Sequence, residues 1–200
     1  MNKPKILLLL GLCAVLSQGH TQAAPTTKNL PQWKSPTTWS AKLAPARKYN
    51  FGEIRAPKGY NLQQKPAPGG QGYAWVGSEG EDGTRPYLMV LNLTMPAAEA
   101  KKYTAEAVLN SFLQGVKARH ENWSRSAAER GTINGTAFIR ARWSGTHREA
   151  GIGMHGFIYV AKNGRSLVQL SSQQTQPDDY QALQLAEAAA LTFKKNFGVR

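Results

Sequence analysis

The chain has 200 residues, of which 41% are hydrophobic and 18% charged, with a formal net charge of +13 and a single cysteine, Cys13. That cysteine lies in the N-terminal apolar run, so removal of the run excludes disulfides, thiol nucleophiles and thiolate metal sites together. About 150 ordered residues suffice to bury one core without crosslinks.

The chain opens with Lys3 and Lys5, continues with eleven apolar residues from Ile6 to Leu16, and reaches small residues at Ala23. This is the grammar of an export signal, and residues 1–23 are expected to be cleaved after Ala23. Eleven residues span about 16 Å as a helix, half of a bilayer core, so no transmembrane anchor is expected. Leu12 stands where a lipoprotein signal has a small residue, which argues against lipidation of Cys13.

Residues 24–46 are rich in Pro, Thr, Ser and Lys, contain no acidic residue and show no sustained period. They read as a basic arm or linker ahead of a domain at 47–200. Trp33 and Trp39 are its exceptions. Either they fold back on the domain as a hydrophobic latch, or with Lys34 they meet a partner. The charge is uneven: residues 24–65 carry eight Lys and Arg against Glu53 alone, whereas 66–200 carry fifteen against eleven acidic groups. Such a balance favours acidic partners.

From Tyr49 the pattern becomes short strands punctuated by Gly and Pro. YNFGEIRAP (49–57), Tyr60–Lys65, YAWVG (73–77) and the apolar PYLMVLNLTM (86–95) are four expected strands. Pro96 stops the last, and AAEAKKY has helical composition. A helix is expected over 104–119, with Thr104 as N-cap and Val108, Leu109, Phe112, Leu113 and Val116 on one face. After Trp123 strands return, with two-residue turns at Asn134-Gly135 and Asn163-Gly164. Asp178 and Gln181 have capping-box spacing ahead of a last helix, whose stripe is Leu183, Ala186, Ala190, Phe193 and Phe197.

No strand–helix–strand alternation appears, so the sheet is expected to be mostly antiparallel. In the second hairpin a loop at 163–164 pairs Tyr159 with Val168 and Phe157 with Leu170. Apolar residues then occupy both faces, as in a sheet covered on both sides.

This order resembles the PsbP-like superfamily. The residues that carry the likeness are FGEIRAPKGY, the helix AVLNSFLQGVK, GTINGTAFIRARW, the strand pair GFIYVAKNGRSLVQLSS and the final LAEAAALTFKKNF, together spanning about residues 47–197. The resemblance implies an α+β fold, an α/β/α sandwich in one domain with helices flanking a central sheet. It also implies the group's mainly non-catalytic, partner-binding habit, and it assigns no functional residue.

Chemistry-bearing motifs are sparse. GIGMHG (151–156) has the glycine spacing of a dinucleotide loop but runs into a strand rather than a helix, so a glycine-rich start of a strand is the better account. His147, Glu149 and His155 flank one segment and supply the alternative reading, a small hydrolase or lyase, if they converge. Glu79, Glu81 and Asp82 match no calcium loop. A small-ligand carrier is a further alternative without a signature. No cofactor, no metal and no sequence-specific nucleic acid is expected.

The turn at Asn134-Gly135 places Glu129 opposite Arg140 and, extrapolated further, Ala127 opposite Arg142 and Ser144 opposite Arg125. Arg140 then has a carboxylate partner, while Arg125 and Arg142 remain as a small anionic docking patch. The expected contacts of an exported binding domain are therefore Trp33, Lys34 and Trp39 first, and Arg125 with Arg142 second. The partner is a protein or an acidic envelope component.

Overall fold

The computed structural model describes residues 30–80, 83–175 and 180–195. Residues 1–23, expected as an export signal, and Glu81, Asp82, Asp178 and Phe197 lie outside them. Eight strands form one antiparallel sheet in the order β3-β4-β5-β10-β9-β8-β6, with β7 lying beside β6 along the same margin of β8. Their ranges are β3 Asn61–Ala67, β4 Gly70–Val76, β5 Tyr87–Thr94, β6 His120–Arg125, β7 Glu129–Ile133, β8 Thr136–His147, β9 Gly153–Asn163 and β10 Ser166–Thr175. The segment expected as one strand at 49–57 is instead a separate hairpin of β1 Arg47–Tyr49 and β2 Gly52–Ile54. Gly52 sits at φ +145, and an added Cβ there would lie 2.4 Å from the Lys194 carbonyl oxygen, so the chain bends where only glycine fits.

Helix α1 Ala97–Lys102 leads into α2 Ala105–Lys117, which covers one face. The Thr104 hydroxyl accepts from the amide of Ala107 at 3.1 Å, the expected cap. Leu109 and Leu113 bury against Ile139, Ala141, Trp143, Ile158 and Val160. Full burial of each leucine is worth about 1.5–3 kcal/mol. The opposite face carries Phe138, Phe157, Tyr159, Val168 and Leu170, packed under Phe51, Ile54, Ala186, Ala190 and Phe193. Strand alternation thus feeds two cores, and the apolar-on-both-faces pattern is realised.

Helix α3 Gln181–Ala190 starts later than the capping-box spacing suggested. Its Leu183 amide donates to the Gln174 side-chain oxygen at 2.8 Å, so a neighbouring strand supplies a cap. The second hairpin is also displaced. Gly164 and Arg165 form its loop, and Tyr159 pairs with Leu170 rather than Val168. A two-residue slip preserves which face each side chain occupies, so the core assignment survives it.

Residues 30–46, set apart in the sequence as an arm, lie along the domain. The Trp33 amide donates to Thr132 at 2.8 Å and the Thr132 amide donates to Pro31 at 2.9 Å, a short parallel bridge beside β7. A 3-10 helix, Thr37–Lys42, follows, and Leu43 is a core residue with 2% exposure. Arg55, the residue after β2, holds this turn by donating to the carbonyls of Ala44 and Ser40 at 3.1 and 3.0 Å.

Candidate functional site

The first hairpin has the register that Asn134-Gly135 dictates. Asn134 and Gly135 sit at φ 47 and 80, and Ile133 pairs with Thr136 through to Glu129 with Arg140. Arg140 donates from Nη2 to Glu129 at 2.7 Å and from Nη1 to the Tyr159 hydroxyl at 2.9 Å. Its guanidinium carbon also lies 4.2 Å from the Trp33 ring centroid. Trp33 in turn meets Tyr159 edge-on and rests directly on Gly131, where an added Cβ would stand 2.3 Å from the indole. Trp33 is therefore the latch of the two readings given for it, half-buried and held by a cation–π contact.

Arg142 and Arg125 both border a shallow depression with Ser124, Ser126 and His155, but their side chains take partners on opposite faces of the sheet. The ladder breaks after β7, so Ser124 pairs with Ser144 and Arg125 with Trp143, one residue away from the extrapolated register. A shift of one turns a side chain to the other face. Arg125 accordingly reaches α2 and donates to the Asn110 side-chain oxygen at 2.8 Å. Arg142 lies on the opposite face and donates to both carboxylate oxygens of Glu187 in α3. Glu187 also accepts from the Tyr159 hydroxyl at 2.6 Å. Burial, then the Glu187 charge, pushes the Tyr159 phenol well above its usual range, so it remains a donor.

The histidines separate for the same reason. His147 pairs with His120 across β6 and β8, whereas His155 pairs with Ser144, which lies an odd number of residues from His147 along β8. Their side chains occupy opposite faces, so the His147/Glu149/His155 constellation is not assembled. His155 lies instead 3.2 Å from the Tyr180 hydroxyl. His147 packs edge-on to buried His120, with ring centroids 5.4 Å apart. Among the described residues no group of three His, Cys, Asp or Glu is placed to hold a metal ion. The glycine run serves packing: Gly151 turns at φ +66, and the Trp143 indole covers Gly156 so closely that a Cβ would lie 2.5 Å from it.

Among the described residues, exposed cations outside the ion pairs also occur at Lys101, Lys102, Lys117 and Arg119, but one end of the molecule gathers them from several segments. The 3-10 helix, the β1-β2 hairpin and the segment after α3 adjoin through backbone contacts of Leu43 with Pro57, Lys58 with Lys42, and Glu53 with Lys194. This brings exposed Lys42, Arg47, Lys48, Lys58 and Lys194 to one end of the molecule. Among the described residues none of the five is in an ion pair, although Glu53 stands opposite Lys48 on the ladder. Trp39 is half-buried at the same end with Lys42 Nζ 4.9 Å above its ring. Thr38, Trp39, Lys42, Gln181 and Gln184 line an open cleft of about 450 Å³ between the 3-10 helix and α3. Lys34 is exposed on the segment between the two tryptophans. The sequence marked the basic excess of 24–65, but Arg47, Lys48, Lys58 and Lys194 were not singled out, because only folding joins them.

Among the described residues no helix is long and apolar enough to cross a membrane. No family model and no curated protein matches the sequence. Among solved structures the chain is similar to cyanobacterial PsbP (CyanoP) from Synechocystis sp. PCC 6803, with a TM-score of 0.53 at 16% identity over 78% of this chain and 93% of that one. Two further structures align less closely. PA94 of Pseudomonas aeruginosa, a protein of unknown function described as a putative regulator, gives a TM-score of 0.46 at 9% identity, covering 75% and 94% of the two chains. LpqN of Mycobacterium tuberculosis, described as involved in cell envelope biogenesis, gives 0.47 at 15% identity, covering 74% and 86%. The two covered faces, the antiparallel order and the match to cyanobacterial PsbP agree: this protein has the PsbP-like fold.

Proposed function

We propose that the protein is an exported, non-catalytic binding domain whose basic end engages an acidic component of the cell envelope. The observation that carries this reading is the set Lys42, Arg47, Lys48, Lys58 and Lys194, exposed together and in no ion pair among the described residues. Five arginines elsewhere are committed to carboxylates, Arg85 to Glu79, Arg130 to Glu106, Arg140 to Glu129, Arg142 to Glu187 and Arg148 to Glu121, whereas Arg125 and Arg165 donate to an amide and a carbonyl oxygen. Clustered cations with no internal partner raise the local concentration of anions and speed their capture. Export rests on the signal grammar of residues 1–23.

Among the sequence-derived contacts, Trp39 and Lys34 stay with this reading, while Trp33, Arg125 and Arg142 have internal structural partners. The test is co-sedimentation of the exported protein with insoluble envelope material, compared with the variant Lys42→Gln/Arg47→Gln/Lys48→Gln/Lys58→Gln. The parent is expected to pellet at low salt and to be released as the screening length shortens, and the variant to stay soluble throughout. Equal sedimentation of the two proteins overturns the reading.

A further inference from the structure

We infer that the cleft between the 3-10 helix and α3 is a subsite for an acidic polysaccharide, whose sugar ring lies against Trp39 and whose carboxylate meets Lys42. This rests on the basic end being the binding end, and adds the ligand class and the residues that read it. The cleft is open to solvent and measures about 450 Å³. One or two sugar rings are the scale of ligand that such a volume admits. Among the described residues its lining combines an indole, a hydroxyl, two planar amides and one ammonium, with no carboxylate. An indole offers an apolar face to the C–H side of a pyranose. The Thr38 hydroxyl and the Gln184 amide both donate and accept, as a ring of hydroxyl groups requires.

The charge selects an acidic sugar over a neutral one. Lys42 lines the cleft and carries its Nζ above the Trp39 ring, so a carboxylate on a stacked sugar arrives beside an ammonium already in place. The cations continue from Lys42 to Lys58, whose amide donates to the Lys42 carbonyl at 2.9 Å, and onward to the β1-β2 hairpin. A row of this kind suits a polymer with repeated charge rather than a single small anion.

A lipid surface fits less well. Binding in a bilayer interface draws on apolar side chains that enter it. Among the described residues the one large hydrophobic side chain classed as exposed is Leu62, on β3, not at this cleft.

The experiment titrates the exported protein with polygalacturonate, neutral dextran of matched length, and phosphatidylglycerol vesicles, following heat and tryptophan fluorescence. Polygalacturonate is expected to bind and dextran not to. Trp39→Ala should weaken the polygalacturonate complex about tenfold, as for a central aromatic contact. Arg47→Gln/Lys48→Gln should weaken it only a few-fold while flattening its salt dependence. Lys42→Gln should weaken it without bringing dextran binding. If Trp39→Ala binds polygalacturonate as the parent does, the cleft is not the subsite, although a basic binding end survives. Binding to the vesicles with none to polygalacturonate overturns the ligand class. Absence of binding to every probe overturns this subsite, while the envelope co-sedimentation separately decides the basic end.

Discussion

Arg142 of β8 places Nη2 2.8 and 3.0 Å from the two carboxylate oxygens of Glu187 in α3. The same carboxylate accepts from the Tyr159 hydroxyl, so one acidic side chain fastens the helix to two strands. Without it a phenol and two guanidinium groups face an empty position. Glu187→Ala is expected to cost about 1–3 kcal/mol in denaturant unfolding, because it leaves the part-buried Tyr159 hydroxyl without its acceptor. Glu129→Ala, at a side chain 48% exposed, is expected to cost only about 0.5–1 kcal/mol. Equal losses from the two variants would contradict this ranking.

Gly131 and Trp33 occupy one volume between them. A Cβ on residue 131 would lie inside contact distance of three indole atoms, the nearest at 2.3 Å. Gly131→Ala is therefore expected to expel the indole at a cost of about 1–3 kcal/mol, as overpacking does. The release would appear as new proteolytic cleavage near residues 30–35 and a red shift of tryptophan emission. An unchanged cleavage pattern would mean that Trp33 does not hold the N-terminal segment.

His120 is 2% exposed, with Nδ1 2.7 Å from the Val116 carbonyl oxygen and Nε2 without a partner among the described residues. Nδ1–H donates, leaving Nε2 as the site that an added proton would have to occupy. Burial lowers the pKa, opposed by the Val116 bond and assisted by the positive charges of His147, Arg119 and Arg148. The unfolded chain accepts that proton near the usual value of about 6.5, and the folded chain only at lower pH. Stability from this residue is complete above the unfolded value, falls as pH drops through it, and levels off below the folded value. The thermal midpoint should therefore decline as pH falls from about 7.5 through the unfolded value of about 6.5. His120→Phe, which keeps a ring against Trp143, should show a shallower decline. Identical slopes for the two proteins would sink the assignment.

Asn134 does more than turn the chain. Its side-chain amide donates to the carbonyls of Thr192 and Phe193 at 3.2 and 3.0 Å, tying the hairpin to the end of α3. Asn134→Gly tolerates the positive φ and removes only those bonds, at an expected cost of about 1–2 kcal/mol. Asn134→Ala adds the left-handed penalty and should be the less stable of the two in thermal unfolding. The reverse order would show that the bonds contribute little.

Local signals carried the strands, the Thr104 cap, both hairpins and the two-faced sheet into view before any coordinates. Registers are legible only where the turn is placed correctly and the ladder stays regular. The second hairpin, closed by Gly164 and Arg165, runs two residues away from the expected pairing. Glu129 and Arg140 are four pairs from their turn and were found. Arg125 lies beyond the break at 126–128, where the ladder restarts one residue out of step, and nothing local announces that offset. His147 and His155 needed the same long-range ladder to reveal that they face opposite layers. The partners Arg140 of Trp33 and Glu187 of Arg142, 107 and 45 residues away respectively, depend on how layers stack rather than on spacing. The basic end is a further case, since Lys194 joins Lys48 only through the bridge at Glu53.

The break between β6 and β7 also bears on solubility. An open eight-stranded sheet offers two margins to any other chain with an unpaired strand. Here one margin is divided into strands of six and five residues with an interruption between them and Asn122 at φ 48. The other, β3, carries Lys65 and Pro66 side by side, and proline has no amide to lend. Neither margin presents an uninterrupted apolar ribbon, so the sheet can grow to this width and still resist edge-to-edge association.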